Sequence, residues 1–105
     1  MNKQDALAKI EEYRAEIDAL DCEIVELLNK RADLSIAIRR LKPLAGAELF
    51  DPSREDAFYE KICDANADTS GTTRSGILCD AGLREIYATI LKVMKENPDR
   101  EANSQ

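Results

Sequence analysis

The sequence predicts an all-α fold with three helices per chain, the first of them very long and packed on a partner chain. Three features point to it. Residues 4–42 contain neither Gly nor Pro. Across that stretch apolar residues recur at every seventh position, the seam of a helix that packs on other helices. Two shorter segments with apolar residues at helical spacing follow, set apart by Pro, Gly and small polar residues.

The first helix is expected over residues 4–42. Ile10, Ile17, Ile24 and Ile38 form one line of the seam, and Tyr13, Leu20, Leu27, Leu34 and Leu41 form the other. At about 1.5 Å per residue such a helix is close to 60 Å long. A monomeric domain of this size is only about 26 Å across. The helix must therefore project, and an apolar seam on a projecting helix calls for a second chain. Pro43 and Gly46 end it. The second helix, residues 51–65, opens with Asp51 as a suitable N-cap and Pro52 at the first helical position, where a missing N–H costs nothing. Phe58 and Ile62, with Ala65 as a candidate third, mark its buried side. Residues 66–76 are small and polar and read as a mobile loop. The third helix is expected over 80–96, with Leu83, Ile86, Tyr87, Ile90 and Met94 on one side, and Pro98 opens a polar tail over 98–105. The 105 residues read as a single domain.

Composition removes several function classes. The net charge of −6 argues against nucleic acid, whose phosphates need a basic face. An anionic ligand would have to be held by a local group of Arg and Lys. There is no His, which removes the commonest general base and the commonest metal ligand. Cys22, Cys63 and Cys79 are isolated and odd in number, so reduced thiols in a cytoplasmic protein are the simplest reading. The polar N-terminus carries no apolar run like a signal peptide, and no stretch approaches the roughly 18 apolar residues of a membrane span. With no phosphate loop either, no cofactor is expected.

Function is best sought where the local pattern breaks. Arg31 occupies a seam position in line with Ile17, Ile24 and Ile38. It either snorkels onto a carboxylate or faces a polar pocket, where its planar fork suits an anionic carboxylate. Arg14 and Lys42 share one heptad position beside the seam. Each could be a solvated helix charge, and Lys42 also complements the helix dipole. Asp18 lies four residues after Arg14, within ion-pair reach, and Asp21 is a second candidate for such pairing. Arg54 and Glu55 fall in the first turn of the second helix, where Glu55 could serve only the dipole.

Taken together, the run R-x-x-I-D-x-L-D at 14–21, IVELLNKRADL at 24–34, Lys42, and D-P-S-R-E at 51–55 resemble the all-helical chorismate mutase family over roughly residues 7–96. The resemblance implies three helices per chain and two chains interlaced through their first helices. It implies that Arg14 and Arg31 hold the two carboxylates of chorismate, and that Lys42 reaches the ether oxygen and a carboxylate. Glu55 would accept from the ring hydroxyl, with Asp51 and Arg54 around it. On the third helix the family usually places a small polar residue and, four positions later, a Gln or Glu. Here Met94 and Pro98, or Ile90 and Met94 one turn earlier, stand at those places, which makes Met94 a substrate-side position in either register.

The chemistry suits the composition. Rearrangement of chorismate to prephenate moves no proton and uses no nucleophile in the bond-changing step. It needs a compact conformer held in place and charge stabilised on the breaking ether oxygen. Spacing adds a constraint independent of any family. Arg14 and Arg31 are 17 residues apart, about 25 Å along one helix, too far to grip one small metabolite. Arg31 and Lys42 are 11 residues apart, close to three turns and about 16 Å, which two long side chains and a ligand can bridge. Arg14 must then come from an antiparallel second chain. An isochorismate pyruvate-lyase on the same fold remains open, as does a non-catalytic helical regulatory module.

Overall fold

A computed structural model describes residues 1–46, 52–70 and 77–100. These form helices α1 (Lys3–Ala45), α2 (Pro52–Ser70) and α3 (Asp80–Glu96), with no strand among the described residues. The chain divides into two compact units, Met1–Leu34 and Ser35–Gln105.

The first unit is the N-terminal part of α1. Asn2 caps it: its side-chain oxygen accepts from the Asp5 N–H at 2.8 Å, and its carbonyl accepts from the Ala6 N–H at 3.0 Å. Asp5 in the first turn favours the helix dipole. Surface ion pairs join Lys9 to Glu12 at 3.0 Å and Arg14 to Glu11 at 2.9 Å. Arg14 thus reaches back to Glu11 rather than forward to Asp18, because long helical side chains lean toward the N-terminus. The seam residues of this unit, from Ile10 to Leu34, are 43–66% exposed. Covering one such Leu or Ile is worth about 1.5–3 kcal/mol, so this face carries a large unspent hydrophobic drive.

The second unit holds the end of α1 together with α2 and α3. α1 runs through Pro43 and ends at Ala45, one turn later than the sequence suggests. Proline removes a single hydrogen bond there, to the Arg39 carbonyl, and only two helical residues follow it. Gly46 is the actual stop: its φ of +71° is left-handed, and its N–H bonds to the Pro43 carbonyl at 3.3 Å. α2 is 19 residues long and extends to Ser70, so residues 66–70 are helix and not loop. No Gly or Pro intervenes between Pro52 and Gly71 to stop it. Asp51 and residues 71–76 of the expected loop lie outside the described residues, as do residues 101–105 of the expected tail.

α3 matches its expected bounds. Its N-cap is Cys79, whose thiol sulfur accepts from the Gly82 N–H at 3.4 Å. α2 and α3 pack through aromatic edges. Phe58 meets Tyr87 at 5.6 Å between centroids and Tyr59 at 5.9 Å, both T-shaped. Arg84 lies over the Tyr59 ring at 5.5 Å. Asn66 donates to the Leu78 carbonyl at 2.9 Å and to Asp80 at 3.2 Å, tying α2 to the start of α3. Phe58 and Ile62 are half-buried as expected, but Ala65 is exposed, as is Ile86 on α3. Met94, 6% exposed, is the one buried residue among those described. None of the described helices is long and apolar enough to cross a membrane.

Candidate active site

The expected site residues fall in both units. Arg14 and Arg31 lie in the first, on one unbroken helix, 17 residues apart in sequence and about 25 Å apart along the helix axis. Arg14 is exposed and paired with Glu11, and Arg31 is half-buried. Their separation on a continuous helix keeps the two guanidinium groups from gripping one small ligand within a single chain.

Lys42, Arg54, Glu55 and Met94 belong to the second unit. Lys42 is half-buried in the last turn of α1. Arg54 is exposed in the first turn of α2, next to the half-buried Glu55. An open cleft of about 270 Å³ lies between α2 and α3, lined by Glu55 and Tyr59 on one side and Leu91, Lys92, Lys95 and Glu96 on the other. Across it Lys95 Nζ donates to Glu55 Oε1 at 2.7 Å, the length of a charge-assisted bond. Glu55 therefore does more than favour the α2 dipole. Met94 turns its side chain into the packing of this unit.

Two residues absent from the sequence reading shape this end of the unit. Arg39 donates from its guanidinium to the Met94 carbonyl at 2.7 Å and to the Asn97 carbonyl at 2.9 Å. It satisfies carbonyls that the α3 C-terminus would otherwise leave unpaired. Arg40 forms a two-bond pair with Asp99. Asp99, just past Pro98, is therefore tied to α1 rather than lying in a loose tail. The Arg39-Arg40 pair near a helix end was a visible signal, but its partner is more than fifty positions away. Lys95 was hidden for another reason: a cation in a last helical turn ordinarily reads as dipole compensation.

Comparison with known proteins decides the family. The family model described as chorismate mutase type II matches residues 13–99. The chain belongs to this family. The matched part of this chorismate mutase type II domain includes every candidate site residue, from Arg14 through Arg31, Lys42, Asp51, Arg54 and Glu55 to Met94. A bifunctional chorismate mutase/prephenate dehydratase of Aquifex aeolicus (strain VF5) is 35% identical over 85 residues. The aligned stretch covers 81% of this chain but 22% of that relative, so the chain spans well under half the relative's length. No solved structure gives a significant match.

Proposed function

We propose that the chain converts chorismate to prephenate as a homodimer, in cytoplasm, with each active site built from two copies and without a cofactor. Membership of the chorismate mutase type II family supports the reaction. The chorismate mutase half of the Aquifex relative's name agrees with it. The observation that carries the two-chain site is the position of Arg14 and Arg31 on one uninterrupted helix whose apolar seam is open. A second copy laid antiparallel on that seam covers the exposed Ile and Leu residues and carries its Arg14 toward the first copy's Arg31.

In this reading Arg14 and Arg31 each take one carboxylate, by the two-bond fork that a guanidinium offers. Holding both carboxylates selects the compact conformer in which the new carbon–carbon bond can form. Lys42 donates to the ether oxygen, where negative charge grows as the carbon–oxygen bond breaks, so its contribution is largest at the transition state. Glu55 accepts from the ring hydroxyl, and Asp51 and Arg54 support that end of the site. Met94, buried beside Lys95, supplies apolar packing behind the substrate and no hydrogen bond.

The test is loss of chorismate absorbance with purified, extensively chelated protein, alongside sedimentation to measure mass. The expected results are prephenate formation without added metal and a particle of two chains. Failure to consume chorismate, with release of pyruvate from isochorismate instead, would replace the reaction. A monomer active at all concentrations would remove the shared site.

A further inference from the structure

We infer that Lys95 is a positioning residue for Glu55. Its ammonium fixes the carboxylate on the wall of the α2–α3 cleft before the substrate hydroxyl arrives. The inference rests on the reading of Glu55 as the acceptor for that hydroxyl. Four observations support it. Lys95 Nζ lies 2.7 Å from Glu55 Oε1. The Glu55 side chain is half-buried at 32% exposure while that of Lys95 is 53% exposed, so the ammonium meets a partly shielded carboxylate from the open side. Both residues line the same cleft. Finally, the backbone that carries Lys95 is itself held, because the adjacent Met94 is buried and its carbonyl accepts from Arg39 at 2.7 Å.

A carboxylate has about four acceptor positions, so one bond from Lys95 to Oε1 leaves capacity for a hydroxyl. A glutamate side chain rotates about three bonds, and an unanchored one must be ordered at the moment of binding. Lys95 does that ordering in advance, from a base clamped by α1. A half-exposed ion pair adds little to fold stability, so a purely structural role predicts little change in activity when it is removed. A positioning role predicts a loss that depends on Glu55 being present.

The experiment is a double-mutant cycle on the full chain, reading kcat and KM for chorismate. The Lys95→Met chain should lose about tenfold in kcat/KM, within the range of coupling between residues in contact. The Lys95→Arg chain should stay within about threefold of the parent, since its guanidinium still reaches a carboxylate. In a Glu55→Ala background, Lys95→Met should change kcat/KM by less than about twofold, because the group it positions is gone. If Glu55→Ala turns over too slowly to read, the dissociation constant of prephenate, which keeps the ring hydroxyl, completes the same cycle. Thermal unfolding of Lys95→Met should stay near the parent midpoint. An active parent with an unaffected Lys95→Met chain, or an equal loss with and without Glu55, would overturn this inference alone. An inactive parent would overturn it together with the reading of the site.

Discussion

Chains carrying Arg14→Ala and chains carrying Arg31→Ala, each inactive alone, are expected to restore activity to one another when unfolded together and refolded. α1 is helical without a break from Lys3 to Ala45, so the 17-residue step from Arg14 to Arg31 amounts to about 25 Å. Two extended Arg side chains leaning the same way along a helix cannot close that gap on one dicarboxylate. In the proposed dimer, each site would draw Arg14 from one chain and Arg31 from the other. In either homodimer of variants, every site lacks one clamp. In a mixed dimer, one site receives both defects and the other receives neither. Random pairing makes half the dimers mixed, so about one site in four is intact in a two-fold assembly. The assay is initial-rate chorismate consumption at saturating substrate, with mass spectrometry of the native dimers to verify mixing. Recovery should approach a quarter of the parent rate. A mixture with verified mixed dimers that stays as inactive as its components would refute the shared site, and Arg14 would then serve its own chain's site or none.

Lys42→Ala should lower kcat by two to three orders of magnitude, since removing a donor to a developing oxyanion costs roughly 3–4 kcal/mol. A kcat within about threefold of the parent would reduce Lys42 to a helix-end charge. Glu55→Gln should retain more activity than Glu55→Ala, because the amide oxygen still accepts from the ring hydroxyl whereas Ala leaves it unpaired. Equal damage in steady-state kinetics would assign the role to the negative charge instead. Arg39→Ala should destabilise the protein by about 1–3 kcal/mol in denaturant titration at fixed protein concentration, the loss of two bonds from a charged donor. Arg40→Ala should cost a comparable amount, about 1–3 kcal/mol, because it removes a two-bond pair from the Asp99 carboxylate, whose side chain is only 14% exposed.

Most of the fold was legible because its determinants are local. A helix is written by the spacing of apolar residues and by its stops, which is why α3 falls on its expected bounds and α1 on nearly the same ones. The deviations have local causes as well. Pro43 near a helix end removes one bond and does not stop the chain, whereas Gly46 can enter the left-handed region that does. The N-cap of α3 could not be read, since a Cys thiol is a weak acceptor and not an expected cap.

The candidate site divides along the same line. Arg31 was visible because a cation at a seam position violates the pattern around it, and Lys42 and Glu55 because they fall in an ordered family motif. The sequence by itself determined the helices, the open seam, the family and the distance between Arg14 and Arg31, since each depends on spacing along one helix or on residues in order. Only the tertiary structure decided that Lys95 meets Glu55, that Arg39 holds the end of α3, and that Met94 is the buried residue of its unit. Those contacts join positions 40 to 58 residues apart. No periodicity encodes such pairs; they form only when α3 returns to α2 and to the end of α1, and the packing of those helices selects which polar groups meet.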